Sequence, residues 1–254
     1  MSWKDLFSAG ASGYSQFRPT YPAPLFSWLG GVVPGHRLAV DVGAGSGQAA
    51  RDLVRLFQRV VAVDPSRAQL ASGGPHPGVD AVVGSASALP VGQGTADLIA
   101  SAQAFHWFNH PAFFAEVARV ARPDAVLALW CYGLSAVSPE VDAAVFELYD
   151  GHLGPFWEPE RRLIETGYAG VAIPFVPIEP PSFEMKSDWT FAQFGGYLST
   201  WSPLDKYRQA TGRDALEAMA PKLAAAWGNV ERPRTVVWPL SLRVFRVWSA
   251  ARTP

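Results

Sequence analysis

Short runs of β-branched and other apolar residues alternate with stretches of helical spacing between residues 37 and 132. In the helical stretches the apolar residues recur every three or four positions, for example at Ala50, Leu53 and Phe57. This alternation of strands and amphipathic helices is typical of a parallel sheet covered by helices. We therefore predict strands at residues 38–42, 60–63, 79–83, 97–100 and 125–131.

Beyond residue 133 the pattern changes to isolated helices, which predict an insertion that caps the sheet. Pro177, Pro180 and Pro181 interrupt an extended stretch and place any strand there at a sheet edge, because proline lacks a backbone donor. Alternation over residues 236–248 predicts one further strand. The expected fold is α/β: a Rossmann-like, seven-stranded, mostly parallel sheet with helices on both faces and a helical cap insertion.

We expect the 254 residues to form a single domain. Its parts are an N-terminal helical segment at 1–36, a core at 37–132, the cap insertion with its extended edge segment at 133–230, and a C-terminal strand at 231–254. Within the insertion, Thr190 and Gln193 have the spacing of a capping box, which predicts the start of a helix.

Charge and cysteine content exclude several classes of protein. The net charge of −1 provides no global field to attract nucleic acid or an anionic membrane. Cys131 is the only cysteine, so no internal disulfide or cysteine-rich metal site can form, and the five histidines show no ligand spacing; we predict no metal. The longest apolar run, at residues 125–132, is too short to span a membrane, and the start carries no basic segment followed by an apolar one, so we expect a cytoplasmic protein without a membrane partner.

Three glycines at alternate positions follow the first predicted strand. Gly43, Gly45 and Gly47 permit a tight turn whose backbone a ligand can touch at the carboxyl end of the strand. A dinucleotide fingerprint would require glycine where Gln48 stands, and a carboxylate at Asp41 is unfavourable beside a pyrophosphate. The loop therefore favours a ligand that carries an ammonium group over a nicotinamide dinucleotide.

Asp64 ends the second predicted strand, about 20 residues after Gly43. An acidic residue at that distance places an acceptor for two ribose hydroxyls beside the glycine loop. By contrast, Arg51, Arg55 and Arg59 recur at spacing four with no interleaved aromatic residues, which is typical of a solvated helix face, and we assign them no role.

With these motifs the chain resembles the class I S-adenosylmethionine-dependent methyltransferases, and more narrowly the small-molecule group that includes trans-aconitate methyltransferase. The resemblance covers nearly the whole chain, and its segments are residues 14–22, 41–47, 63–66, 84–90, 97–99, 103–108 and 197–202.

The resemblance implies S-adenosylmethionine as cofactor and a role for each matching segment. The residues implied are Tyr14 and Arg18 for closing over the site; Asp41, Gly43, Ala44, Gly45 and Gly47 for the amino-acid end; Asp64, Pro65 and Ser66 for the ribose; Ser85 and Ala86 for the adenine; and Gln103 and Ala104 for the methionine portion. Many relatives carry an acidic residue after the third strand to accept from the adenine amino group. Here that place is Ser85-Ala86-Ser87, which leaves Asp80 or a more distant residue for the task.

Methyl transfer from a sulfonium requires alignment and exclusion of water more than acid–base chemistry. Aromatic side chains can stabilise the cation, and we expect Trp107, Tyr132, Trp157, Tyr197 and Trp201 to line a pocket for a small acceptor. His106 is the candidate catalytic residue, either as a general base or as a group that positions the acceptor. O-methylation of a carboxylate or hydroxyl is favoured.

Two other functions stay open. The chain could bind S-adenosylmethionine without turning it over, since a pocket is not a reaction. A nucleic-acid methyltransferase fits less well, because residues 101–104 lack the Asn or Asp followed by two prolines and an aromatic residue that base methylation usually shows. We expect a monomer or homodimer that acts on a small molecule and not on nucleic acid.

Overall fold

The computed structural model describes residues 19–247. Its contacts divide the chain into two compact units. The sheet unit consists of Tyr21–Gly133, Arg162–Phe183 and residues 240–247; the helical unit is built mainly from Leu134–Arg161 and Glu184–Pro239. The assignment of all 254 residues to a single domain stays a prediction.

The predicted Rossmann-like arrangement of strands is confirmed, with eight strands within residues 19–247 in place of the seven predicted. The strands are β1 Leu38–Val42, β2 Arg59–Asp64, β3 Val79–Val83, β4 Ala96–Ala102, β5 Ala121–Tyr132, β6 Val176–Ile178, β7 Phe183–Trp189 and β8 Arg234–Arg246. Their order is β3-β2-β1-β4-β5-β8-β6, with β7 paired to β8 outside this path. Strands β1 to β5 pair in parallel, whereas β8 is antiparallel to both β5 and β6. The proline-containing β6 lies at the edge, as predicted.

The helices are α1 Ala23–Val32, α2 Gln48–Leu53, α3 Arg67–Ser72, α4 His110–Val120, α5 Pro139–Phe146, α6 Arg161–Glu165, α7 Phe191–Ser199, α8 Pro203–Thr211 and α9 Ala215–Trp227. A π-helix at Glu147–His152 continues α5, and short 3-10 helices lie at Phe105–Trp107 and Gly154–Phe156. The predicted capping box opens α7, with Thr190 accepting from the Gln193 backbone. Of the helices in residues 19–247, none has the length and apolar character needed to cross a membrane.

The strand order reverses at the centre of the sheet. The chain passes outward from β1 to β2 and β3, then returns to place β4 on the other side of β1. The loops that follow β1 and β4 therefore leave the sheet at its topological switch point, which is where open α/β sheets bind ligands in a crevice. The hydrophobic core around these strands is buried, and its members include Val40, Ile99, Phe113 and Leu127.

At the opposite, amino-terminal end of β1 and β4, a buried carboxylate joins the strands. Asp97 accepts hydrogen bonds from the backbone N–H groups of Arg37 (2.9 Å) and Leu38 (3.0 Å), and from Nη1 of Arg122 (2.6 Å). Burial by itself would raise the pKa of this carboxyl. The hydrogen bonds from Leu38, Arg122 and Arg37 outweigh that effect and hold the pKa below its usual value.

We expect Asp97→Asn to lower the free energy of unfolding by about 2 kcal/mol at pH 7, because Arg122 loses a buried, charge-assisted partner. The Asp97 pKa is lower in the folded state, so its contribution is present above the unfolded-state pKa of about 3.9 and lost as the pH falls below it. Urea denaturation measures this loss. The difference in free energy of unfolding between the wild type and Asp97→Asn should therefore be smaller at pH 3.5 than at pH 7.

The control is Asp80→Asn, which breaks the solvent-exposed ion pair between Asp80 and Arg59. Such surface pairs contribute about 0–1 kcal/mol. Equal effects of the two substitutions at pH 7 would contradict a structural role for Asp97.

Candidate functional site

The glycine loop between β1 and α2 depends on three residues without side chains. Gly43, Gly45 and Gly47 have φ angles of 72°, 56° and 76°, in the left-handed region that favours glycine. The backbone N–H groups of Gly43 and Ala44 both donate to the carbonyl of Val63, at 2.8 and 3.0 Å. The loop is thereby attached to the end of β2, with its backbone exposed to a ligand at the crevice.

Asp64, the last residue of β2, joins this loop to the next one. Its Oδ2 accepts from the Gly45 N–H and its Oδ1 accepts from the Ser66 N–H, both at 2.8 Å. Each carboxylate oxygen has a second lone pair, so both can also accept from ligand hydroxyls. Ser66 caps α3 by accepting from the Gln69 N–H, and Pro65 between them is exposed.

Asp41, one residue before the end of β1, is fully buried. Across residues 19–247, neither of its carboxylate oxygens accepts a hydrogen bond. Burial, assisted by the nearby charge of Asp64, raises the pKa of Asp41 to about 7; the Ala50 backbone N–H offsets part of the increase, although its geometry falls short of a hydrogen bond. A buried carboxylate without a partner is costly, and an ammonium group of a ligand would satisfy it.

The loop after β3 is fixed by a charged pair on α4. Glu116 accepts from the Leu89 N–H at 2.6 Å, and Arg119 donates to the carbonyls of Leu89 (2.9 Å) and Val91 (2.8 Å). The loop begins beside Asp64, whose carbonyl accepts from the Gly84 N–H. It carries the exposed Ser85 and the half-buried Ala86.

Asp80 does not lie at this end of β3. It is the second residue of the strand, opposite Val61, and forms an ion pair with Arg59. The expectation that Asp80 could serve the adenine amino group is therefore wrong, because its side chain belongs to the amino-terminal half of the strand. Ser85 and Ser87 are left as the polar side chains of the run that follows β3.

The turn after β4 contains Gln103 in a left-handed backbone conformation, with φ 56°. The Gln103 side chain exchanges two hydrogen bonds of 3.1 Å with the backbone of Tyr132, donating through Nε2 and accepting through Oε1. Its side chain therefore anchors the turn to β5. Non-glycine residues in this conformation cost about 1–3 kcal/mol and persist where the surroundings hold them, commonly at functional sites.

The next residues bring the glycine loop and the turn together. A Cβ placed on Gly43 would overlap the Cβ of Ala104, so the two backbones approach too closely for any other residue at position 43. His106 follows on the 3-10 helix and is buried, with Nδ1 3.5 Å from the hydroxyl of Tyr168. Trp107 beside it is 57% exposed, whereas Tyr132 is buried.

The other three aromatic residues expected in the pocket lie in the helical unit and contact one another. The Trp201 ring is 5.7 Å from that of Trp157 and 6.2 Å from that of Tyr197. The Trp157 indole donates to the Tyr149 carbonyl at 3.0 Å, and the Arg161 guanidinium stacks 4.5 Å from the Trp157 ring. The structure thus groups Trp157, Tyr197 and Trp201 within one unit, while Trp107 and Tyr132 belong to the sheet unit.

Two predicted site residues, Tyr14 and Arg18, lie outside the described residues. Within residues 19–247, no group of three or more His, Cys, Asp or Glu side chains could hold a metal ion.

Arg51 contacts the glycine loop, whereas its spacing with Arg55 and Arg59 predicted a solvated helix face without a role. Its Nη1 donates to the Ser46 carbonyl in the glycine loop at 2.8 Å, and to the Gly73 carbonyl at the end of α3 at 3.4 Å. Gly73 has to be glycine here, because a Cβ would overlap the Ser46 carbonyl oxygen. The position of Arg51 near the start of α2 could have indicated this contact, because side chains in the first turn of a helix lean toward the preceding loop.

Comparison with known proteins places this geometry among methyltransferases. A family model described as a methyltransferase domain matches residues 40–129. A protein of Dictyostelium discoideum named as a methyltransferase is 31% identical over 231 residues, which cover 89% of this chain and 88% of that protein. A structure from Anaeromyxobacter dehalogenans, titled as a type II methyltransferase, is 46% identical, covers 91% of this chain and 98% of its own, and superimposes with a TM-score of 0.85.

A protein of Saccharomyces cerevisiae named as an S-adenosylmethionine-dependent methyltransferase is 29% identical over 181 residues, which cover 62% of this chain and 58% of that protein. These matches show that the chain is a methyltransferase. The narrower group that includes trans-aconitate methyltransferase stays a prediction.

Proposed function

Since the chain belongs to the class I S-adenosylmethionine-dependent methyltransferases, we propose that it methylates a small-molecule acceptor, with the oxygen of a carboxylate or hydroxyl as the favoured atom. The cofactor supplies a methyl group on a sulfonium, which is already an activated leaving group. The observation that carries the proposed site is the buried Asp41 carboxylate, which lacks a hydrogen-bond partner in residues 19–247 and lies beside the glycine loop and Asp64.

The residues present fit this cofactor. Asp41 would bind the ammonium of its amino-acid end, with Gly43, Ala44, Gly45 and Gly47 along the same portion. Asp64 would accept from the ribose hydroxyls through the lone pairs that the Gly45 and Ser66 N–H groups leave. The other assignments of the proposal are Pro65 and Ser66 beside the ribose, Ser85 and Ala86 at the adenine, Gln103 and Ala104 at the methionine portion, and Tyr14 and Arg18 from the N-terminal segment.

The chemistry asked of the protein is alignment of the acceptor and exclusion of water. Trp107 and Tyr132 of the sheet unit are proposed to line the acceptor pocket. A role in acceptor binding for Trp157, Tyr197 and Trp201 stays a prediction from sequence. A carboxylate acceptor needs no base, so His106 would only orient it; a hydroxyl acceptor would need His106 to take its proton.

A small acceptor is favoured over nucleic acid by the net charge of −1 and by the Ser-Ala-Gln-Ala run at residues 101–104. The same charge and the single cysteine support the proposed cytoplasmic location, and a monomer or homodimer remains the proposed assembly.

Calorimetric titration with S-adenosylhomocysteine tests the cofactor half of the proposal, with NAD as the matched control. We expect micromolar binding of S-adenosylhomocysteine and none of NAD, because position 48 is Gln and Asp41 disfavours a pyrophosphate. Binding of NAD alone would contradict the assignment of the glycine loop. Turnover is then screened with small carboxylic acids and with matched alcohols, using labelled methyl donor.

We expect Arg51→Met to weaken S-adenosylhomocysteine binding about fivefold, roughly 1 kcal/mol, because the Ser46 carbonyl loses its charged donor and the glycine loop loosens. The control is Arg55→Met in the turn that follows α2, which removes only a surface pair with Asp52. Calorimetry on both variants measures the difference, and equal affinities would show that Arg51 does not support the loop.

A further inference from the structure

The backbone after β4 leaves the sheet while the neighbouring strand β5 continues. The paired residues of the two strands end with Ala102 and Trp130, and the Gln103 N–H then donates to the Trp130 carbonyl at 2.9 Å. β5 extends two residues further, to Tyr132. If β4 continued as a parallel strand, the Tyr132 N–H would donate to the backbone carbonyl of Gln103, and the Tyr132 carbonyl would accept from the N–H of residue 105.

The side-chain amide of Gln103 makes both of these hydrogen bonds instead. Its Oε1 accepts from the Tyr132 N–H and its Nε2 donates to the Tyr132 carbonyl, each at 3.1 Å. The amide therefore takes the place of a peptide group of β4 and extends the ladder by one step. Meanwhile the backbone of Gln103, with φ 56°, departs from the extended conformation of the strand.

The same turn also contacts the glycine loop. Ala104 follows Gln103 and lies so close to Gly43 that a Cβ at position 43 would overlap the Cβ of Ala104. Gly43 is attached in turn to the Val63 carbonyl at the end of β2. A continuous series of contacts within the sheet unit thus runs from the glycine loop through the turn to Tyr132. A ligand held on the glycine loop would limit the movement of every group in this series.

We propose that Gln103 is a positioning residue that couples the glycine loop to Tyr132, so that binding of the cofactor orders the end of β5. This inference rests on the proposed function, in which Tyr132 lines the acceptor pocket, and adds that the bound cofactor prepares this part of the pocket. The Gln103 amide acts on β5 through its two hydrogen bonds and not on the cofactor. Coupling of this kind is reciprocal, so the same hydrogen bonds strengthen cofactor binding.

The test is hydrogen exchange of backbone amides in the full chain, measured by NMR with and without saturating S-adenosylhomocysteine. We expect the ligand to slow exchange of the Tyr132 amide about tenfold in the wild type, a typical factor for coupled sites. Leu127, in the middle of β5, is fully buried and is expected to exchange through opening of the whole sheet. Slower exchange at Leu127 therefore verifies in every sample that the ligand is bound.

Three variants assign the effect to the amide. In Gln103→Met, which lacks the amide, the ligand should still slow Leu127 but no longer alter the exchange of Tyr132, and affinity for S-adenosylhomocysteine should fall by the same factor of about ten. Gln103→Glu keeps an oxygen that accepts from the Tyr132 N–H but loses the donor, so an intermediate response is expected. Gln58→Met, at an exposed glutamine directly before β2, is the matched control and should behave as the wild type.

Each contrary result has a different meaning. Calorimetric binding to the wild type without slower exchange at Tyr132 would overturn the coupling. A wild-type response of Tyr132 in Gln103→Met would overturn the role of Gln103, and weaker affinity in that variant would then indicate direct contact with the cofactor. Should Gln103→Met fail to fold, a wild-type response in Gln103→Glu counts against the proposal. Absence of binding to the wild type would refute the proposed cofactor site itself, and the coupling with it.

Discussion

Replacement of Asp41 by Asn is expected to weaken S-adenosylhomocysteine binding about 100-fold, a loss of roughly 3 kcal/mol. The estimate follows from removing the charged partner of a buried ammonium group, which costs about 3–5 kcal/mol when the other charge is left unpaired. Asn keeps the size of the side chain and one acceptor oxygen, so the loss measures the charge and not the shape. Calorimetry at pH 8, where the wild-type carboxylate is ionised, gives the full effect.

In the absence of ligand, Asp41→Asn is expected to be more stable than the wild type, and the difference in stability should grow as the pH rises. The pKa of Asp41 is raised to about 7 in the folded state, against about 3.9 in the unfolded chain. Between these values the folded state binds one proton more than the unfolded state, so stability falls with rising pH and levels off above pH 7. Ionisation of Asp41 in the folded state thus lowers the free energy of unfolding by up to about 4 kcal/mol. Asn does not titrate in this range. The denaturant midpoint of the variant should therefore exceed that of the wild type by an amount that increases from pH 4 to pH 8.

Proton release gives a third measure of the same group. Below pH 7 the ligand-free Asp41 is protonated, and pairing with an ammonium group requires the carboxylate. Binding of S-adenosylhomocysteine at pH 6 should therefore release up to one proton, seen as a dependence of the calorimetric heat on the buffer, and should release none at pH 8. The matched control is Asp52→Asn on α2, expected to alter affinity less than twofold. Wild-type binding with no proton release at pH 6 would show that Asp41 is not the ammonium partner.

The centre of the parallel sheet was readable from sequence because its strands are buried on both faces. Such strands appear as continuous apolar runs, and β1 begins and ends where its run does. β5 begins four residues earlier than predicted, at Ala121, because Ala121 pairs with Ala96 of β4 ahead of an irregularity in the register. The pattern of side chains does not report such backbone pairing. The additional strand β7, Phe183–Trp189, was not predicted, although buried or half-buried and exposed positions alternate along it.

The positions of the acidic residues in the site could be predicted from the sequence. The tertiary contacts made around the site could not. Asp41 and Asp64 could be placed from their strand ends, but whether Asp41 has a hydrogen-bond partner depends on what packs around it, and within residues 19–247 it has none. Helical periodicity assigned Arg51 to solvent because it says nothing about the loop before the helix. The contact between Tyr168 and His106 joins residues 62 positions apart, which no local pattern encodes.

Gly43→Ala is expected to abolish detectable S-adenosylhomocysteine binding, with a loss of affinity above about 300-fold, or more than 3 kcal/mol. Two costs combine. A left-handed φ of 72° costs a non-glycine residue about 1–2 kcal/mol, and the new Cβ would overlap that of Ala104, which forces the glycine loop and the turn after β4 apart. Calorimetry measures affinity, and urea denaturation reports how much of the loss is general destabilisation.

Two variants separate the costs at Gly43. Gly45→Ala has a similar φ of 56° and open space around the new Cβ, so its effect on unfolding should be the strain alone, about 1 kcal/mol. In Gly43→Ala/Ala104→Gly the overlapping methyl group is gone, and most of the stability lost by Gly43→Ala should return, with the nearby Phe108 ring shifting by a few tenths of an ångström. Because the rescue depends on contact between these two positions, a double variant no more stable than Gly43→Ala would mean that strain in the glycine loop, and not its approach to the β4 turn, requires glycine at position 43.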